Sequence, residues 1–165
     1  MDVMADLCRE SDAPDIFSET MCNQIRRQLS AIRHPGRMEI LSSDPFVLLD
    51  ACIHSASCEN VKEVLRHLEI SNCTVIVGIP EDKDYAGVVR SMKDVAARII
   101  LTRSGNPHYH FSKHQRENPA LEGIAAEWTD SVQQALTLAG SCPDPIVILG
   151  TTSVISEVER IFRQS

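Results

Sequence analysis

The residues able to do chemistry fall in a few short stretches. The first is His34-Pro35-Gly36-Arg37-Met38-Glu39. A Pro-Gly pair signals a turn, and an arginine just after it is placed to fork two donors onto a phosphate or to reach a ribose. The plainer reading is a surface turn carrying a solvated arginine. The second stretch, Phe46-Val47-Leu48-Leu49-Asp50, is an apolar run ending on a carboxylate that could accept from sugar hydroxyls or help organise a cation. His54 follows at the start of a helical pattern, a place a histidine also takes without any chemical role. In Glu81-Asp82-Lys83-Asp84-Tyr85 the acidic residues precede a helix, so Asp82 and Asp84 are expected to complement its dipole as caps. Lys83 is expected to meet an anionic group across a cleft. His108, His110 and His114 could ligate zinc. No cysteine or acidic ligand stands near them at a suitable spacing, and Lys113 opposes a cation, so residues 103–119 read as a polar loop.

The elements that must position these groups alternate along the chain. Met38 to Leu41 and Phe46 to Leu49 read as two strands of a hairpin around Ser42-Ser43-Asp44-Pro45. Val61, Val64, Leu65 and Leu68 repeat at helical spacing. Thr74 to Val77 reads as a strand closed by Gly78. Tyr85, Val88, Val89, Met92, Val95 and Ala96 make the next helix, and Ile99 to Leu101 a strand. Ile124 to Trp128 reads as a short strand. Thr129 or Asp130 is expected to cap a helix through Val132, Ala135, Leu136 and Ala139 that stops at Gly140. Ile146 to Leu149 is the last strand, and Val154, Ile155, Val158, Ile161 and Phe162 mark the closing helix. Strand–helix alternation implies a Rossmann-like α/β fold: a mixed, mostly parallel sheet covered by helices. Residues 1–33 are more polar and hold one helical pattern through Met21, Ile25, Leu29 and Ile32, an N-terminal helical extension. In such sheets ligands bind beyond the carboxyl ends of the strands. Residues 50–57, 78–84, 102–110 and 150–153 leave strands there and hold most of the polar candidates.

Composition narrows the partners. The chain has 165 residues, 43% hydrophobic and 24% charged, in keeping with one globular domain. A net charge of −7 and 4% aromatics disfavour nucleic acid, whose phosphates an acidic surface repels. No apolar run approaches the ~20 residues of a membrane span, and the first residues suit neither a signal nor a transit peptide. A cytoplasmic location is expected. The cysteines at 8, 22, 52, 58, 73 and 142 form no Cys-x-x-Cys pair, so reduced, partly buried thiols are expected.

Taken in order, these stretches resemble the C-terminal domain of folylpolyglutamate and dihydrofolate synthases, in the Mur ligase family. Pro35-Gly36-Arg37-Met38-Glu39 is similar to the family's P-G-R-F/M-E, and Asp50-Ala51-Cys52-Ile53-His54-Ser55 to its D-G-A-H-N-P, with Ile53 where the family has histidine. Asp82-Lys83-Asp84 resembles D-K-D. Thr102-Arg103-Ser104-Gly105-Asn106-Pro107 resembles the strand end and N-P-R loop, with His108 in place of the arginine. Leu149-Gly150-Thr151 resembles the start of the terminal strand and T-G-S. The resemblance covers roughly residues 18 to 163, and residues 18–33 look like the last helix of the central ATPase domain. It implies residues 1–33 as that domain's tail and 34–165 as the Mur-ligase-type domain.

The activity implied is ATP-dependent ligation of an acid to an amino acid, glutamate being the expected one. The family's C-terminal domain binds the amino acid and closes over ATP. Arg37 and Asp50 would contact ATP, and His54, one place late, would stand in for the catalytic histidine. Lys83, Arg103, Ser104 and Asn106 would line the amino-acid side. The 165 residues hold no G-x-x-G-K-[ST] phosphate loop. ATP and Mg would therefore be used only with a P-loop ATPase domain supplied in cis or in trans, and the chain would not be competent alone. The alternative is a non-catalytic remnant or regulatory module that binds a nucleotide or an amino acid in the same cleft.

Overall fold

The computed structural model describes residues 34–164. The expected helix through Met21, Ile25, Leu29 and Ile32, and the tail it belongs to, lie outside the described residues. Strands β1 (Glu39–Ser43) and β2 (Phe46–Asp50) form the expected antiparallel hairpin. Then come α1 (Ser55–His67), β3 (Cys73–Gly78), α2 (Tyr85–Met92), β4 (Ala96–Thr102), β5 (Ala126–Thr129), α3 (Val132–Ala139), β6 (Ile146–Gly150) and α4 (Thr152–Gln164). The six-stranded sheet runs β1-β2-β6-β3-β4-β5, with every pairing after the hairpin parallel.

The side-chain alternation of each strand feeds two cores. Leu48, Val75, Val77, Leu101, Val147 and Leu149 face Val61 and Leu65 of α1 and Val88, Val89 and Met92 of α2. Val47, Leu49, Ile76, Ile100, Ile146 and Ile148 face Val132, Ala135 and Ala139 of α3 and Val154, Ile155 and Val158 of α4. Coverage on both faces is why β3 and β6 are buried from end to end and read as unbroken Val/Ile runs. At about 1.5–3 kcal/mol per buried Val, Leu or Ile, these two layers outweigh every polar contact described below.

Three expectations change. The helix from Tyr85 stops at Met92; Ala96 pairs with Cys73 to open β4, and the Cys73 amide donates to the Val95 carbonyl at 3.0 Å. The edge of β3 offers a ladder that the helical period of Val95 and Ala96 does not outweigh. The cap of α3 is Ser131, whose hydroxyl accepts from the Gln134 amide at 3.2 Å. Thr129 is instead the last residue of β5, and the Asp130 carboxylate accepts from the Trp128 indole at 3.0 Å. Residues 103–119 are not wholly irregular. A capping box at Ser112 and Gln115 starts a short 3-10 turn over Lys113–Glu117, and a second covers Pro119–Leu121. Among the described residues no helix is long and apolar enough to cross a membrane.

The chain lays β3, β4 and β5 outward, then returns to insert β6 between β2 and β3. The carboxyl ends of β3 and β6 thus meet at the point where the strand order reverses, the usual place for a ligand. Gly78 and Gly150 are paired there. A Cβ on Gly150 would lie 2.8 Å from the Gly78 carbonyl, and one on Gly78 would lie 2.6 Å from Val154. Two bare backbones let the first turn of α4 settle onto both strand ends, with the Thr151 amide donating to the Gly78 carbonyl at 3.2 Å.

Candidate functional site

The four strand-end segments are tied to one another by hydrogen bonds around the carboxyl edge of the sheet. The Ser55 amide donates to Asp84 at 2.8 Å, joining the first segment to the second. The Glu81 amide donates to the His110 carbonyl at 3.0 Å, and the buried Gln115 side chain donates to the Ile79 carbonyl at 3.0 Å. The first bond fastens the third segment to the second, and the Gln115 bond fastens the loop that follows it. The Asn106 side chain donates to the Ser153 hydroxyl at 2.8 Å, joining the third to the fourth.

Arg37 and Asp50 come to the same strand end, though not as a direct pair. The exposed Arg37 donates from Nη1 to the Ala51 carbonyl at 3.0 Å. Asp50, 4% exposed, accepts from the Met38 amide at 2.9 Å. Burial raises the Asp50 pKa, opposed by the Met38 amide and the Arg37 charge. The turn they hold is unusual. Gly36 has φ +69° and Met38 has φ 45°, a left-handed setting that costs a residue with a side chain about 1–2 kcal/mol. Three bonds fix it: Met38 to Asp50, the Gly36 amide to Glu39 at 2.7 Å, and the Ala51 amide to the Gly36 carbonyl at 2.7 Å. The chemistry of this set is asymmetric. Arg37 keeps donors free for an anion, while one oxygen of the Asp50 carboxylate holds the turn that presents Arg37.

Asp50→Asn keeps an acceptor for Met38 and removes a buried charge. Because its folded pKa is raised, Asp50 lowers stability as pH climbs through and above the ordinary carboxylate range. The asparagine variant is expected to flatten that part of the stability–pH curve and to be no less stable at neutral pH, as urea melts across pH would show. A loss of several kcal/mol at pH 7 would mean the charge itself is needed.

His54 is the residue preceding α1; its backbone is extended and its side chain makes no cap. It is exposed, and its charge favours the ionised form of Asp84. Ile53, at the place of the family histidine, packs partly buried against the α1 and α2 core. Asp84 caps α2 through Gly87, as expected, and also holds the first amide of α1. The Ser55 hydroxyl and amide lower its pKa most, followed by the Gly87 amide and the His54 charge. Asp82 is not a cap: it pairs with Lys83 at 3.4 Å on the surface. Lys83 is exposed in the turn before α2.

Ser104 is 2% exposed and its hydroxyl accepts from the Asn106 amide at 3.4 Å; Arg103 is exposed. The loop leans on α4 twice, through Asn106 on Ser153 and through the Gly105 amide on Glu157 at 2.7 Å. Positions 153 and 157 lie one turn apart on one side of that helix. Ile155 faces away from them and packs on Gly36. Helix α4 therefore stands between the Arg37 turn and the Asn106 loop. Ser153, Glu157 and the second role of Asp84 were not singled out from sequence; the Thr-Thr-Ser run opening a helix after a strand was the available signal for Ser153.

Two buried hydroxyls at this rim have no partner: Thr102 at the end of β4, 1% exposed, and Thr151 after β6, 6% exposed. A third, Thr74, lies at the opposite end of β3. Thr74 shares the condition away from the rim, so the missing partners do not by themselves mark a ligand position. Among the described residues no three His, Cys, Asp or Glu side chains gather in a way that could hold a metal ion, and His114 pairs with Glu117 at 2.9 Å.

No family model matches the chain. It is 28% identical over 159 residues to a probable bifunctional folylpolyglutamate synthase/dihydropteroate synthase of Haloferax volcanii, covering 92% of this chain and 18% of that protein. It is 30% identical over 139 residues to the folylpolyglutamate synthase of Lacticaseibacillus casei, covering 82% of this chain and 31% of that protein. The bifunctional folylpolyglutamate synthase/dihydrofolate synthase of Yersinia pestis, solved with AMPPNP and a manganese ion, shares the fold. Its TM-score is 0.73 at 20% identity, over 96% of this chain and 37% of that one. The chain thus spans between about a fifth and a third of the length of these curated relatives.

Proposed function

We propose that this chain, a partial homologue of folylpolyglutamate synthases consistent with their C-terminal, Mur-ligase-type domain, is the amino-acid-binding domain of an ATP-dependent acid–amino-acid ligase. The observation that carries the reading is the rim itself. Helix α4 rests on Gly78 and Gly150 at the reversal of strand order, with an anion-ready Arg37 on one flank and the Asn106–Ser153 contact on the other. ATP, bound with Mg to a P-loop domain in cis or in trans, would supply the activated carboxylate. This chain's part is to hold an amino acid, glutamate by the likeness, with its amine free to attack. Ser104 and Asn106 are suited to its polar groups, and Lys83 and Arg103 to an anionic side chain. Arg37 is suited to a phosphate or ribose arriving with the ATPase domain. A cytoplasmic setting follows from those substrates.

One observation favours the runner-up, a binding module without catalysis. Ile53 occupies the family histidine's place and packs into the core, while His54 points no described hydrogen bond at the rim. A graft separates the two. The chain replaces the matching part of the Lacticaseibacillus casei enzyme, and glutamate-dependent phosphate release is measured. Activity well above the truncated enzyme is expected, lowered roughly tenfold or more by Arg37→Ala, the value of a charge-assisted hydrogen bond of about 1.5–3 kcal/mol. The chain by itself is expected to release none. An inactive graft that still binds nucleotide or glutamate by calorimetry would leave the binding-module reading standing and this one overturned.

A further inference from the structure

Cys52 and Cys58 face each other beneath the His54 loop. Their sulfurs are 3.6 Å apart, and both thiols are directed at one acceptor, the His54 carbonyl, at 3.3 and 3.8 Å. The residues are 1% and 0% exposed. Cys52 lies two residues beyond β2, and Cys58 lies in the first turn of α1. We propose that this pair is a covalent modification site, closing to a reversible intrachain disulfide when the folded chain meets hydrogen peroxide.

The geometry requires little. A disulfide has its sulfurs about 2.05 Å apart, so closure is a movement of roughly 1.5 Å, within reach of side-chain rotation and a small shift of the loop. Only a small oxidant suits thiols this covered, which excludes bulky disulfides. When the Cys58 S–H turns from the carbonyl to Cys52, that bond favours the Cys52 thiolate against the cost of its burial, and the start of α1 adds a favourable dipole. In the first step the Cys52 thiolate attacks one peroxide oxygen. The O–O bond breaks, Cys52 becomes a sulfenic acid, and the departing hydroxide takes a proton to leave as water. In the second step the Cys58 sulfur attacks the sulfenic sulfur, the S–S bond forms, and the hydroxyl leaves with the Cys58 proton as water. Two thiols are oxidised by one peroxide, with two waters released. The bond would tether the strand end to α1 on either side of His54 and withdraw both S–H donors from its carbonyl. The other described cysteines lack such a neighbour. Cys73 donates to the Val95 carbonyl and is pushed up to about 12 by burial, and Cys142 is half-buried. This inference is independent of the ligase reading.

The test uses the whole chain. Native protein is exposed to peroxide, then denatured in an alkylating reagent and cut with trypsin. Residues 38–62 form one peptide that holds Cys52 and Cys58 and no other cysteine. That peptide is expected to lose both alkyl labels and two hydrogens, and to regain the labels after dithiothreitol. In Cys58→Ser, or Cys58→Ala should the serine variant unfold, the crosslink is expected to vanish. Cys52 should then be captured by dimedone as its sulfenic acid. The proposal is overturned if peroxide oxidises Cys142 while both thiols of the peptide stay alkylatable. It is equally overturned if the crosslink forms in urea but not in the native chain.

Discussion

Gly36→Ala is expected to lower the stability of the folded unit by about 2–5 kcal/mol, read as a drop in the urea midpoint with an unchanged slope. Two costs add. Gly36 has φ +69°, where a side chain costs about 1–2 kcal/mol. A Cβ there would also press into Ile155 Cγ2, and Ile155 is a buried residue of the α3–α4 core that cannot yield freely. Overpacking of that kind costs about 1–3 kcal/mol. The same substitution is expected to displace Arg37, because the turn that carries it hangs on the Gly36 carbonyl and amide. The control is Gly36→Ala made in an Ile155→Ala background, which removes the clashing Cγ2. A smaller cost of Gly36→Ala there than in the wild type would assign the clash its share, and an unchanged cost would leave the whole effect to the backbone.

Asp84→Ala is expected to cost about 2–3 kcal/mol, more than an ordinary surface carboxylate. One carboxylate serves the amides of Gly87 and Ser55 at 3.1 and 2.8 Å, so its loss strips the starts of two helices together. A lost cap is worth about 1 kcal/mol and a charge-assisted bond about 1.5, taken at the low end because Asp84 is partly exposed. The pH dependence has a fixed sign. The Asp84 pKa is lowered in the fold, so its contribution is complete above the ordinary carboxylate range and is lost as pH falls through the depressed value. The gap between wild type and Asp84→Ala should therefore be widest at neutral pH and close in acid. Asp84→Asn, which keeps one acceptor without the charge, should fall between them. A gap independent of pH would show that packing, not the ionised carboxylate, holds the two helix starts.

Some of this was legible from residue order. Short, β-branched apolar runs such as Val75-Ile76-Val77 and Ile146-Val147-Ile148-Leu149 read as buried strands, and helical spacing set the positions of α1, α3 and α4. The hairpin was marked by the Asp44-Pro45 turn, and the four polar segments were assigned to one rim because every strand they leave is parallel. These are short-range properties: a side chain's period, a turn's backbone preference and a chain direction are all written within about ten residues.

What the tertiary structure alone decided is which of those groups meet. Residue order does not say that β6 returns between β2 and β3, yet that insertion brings α4 down onto Gly78, sets Ile155 against Gly36 and puts Ser153 under Asn106. Nor does it say that Asp84 serves a helix beginning 29 residues earlier, or that Arg37 reaches the Ala51 carbonyl. Each of these contacts depends on where two distant segments cross the sheet. That placement is settled by burying both apolar faces of the strands at once, a balance over the whole chain that no local stretch contains.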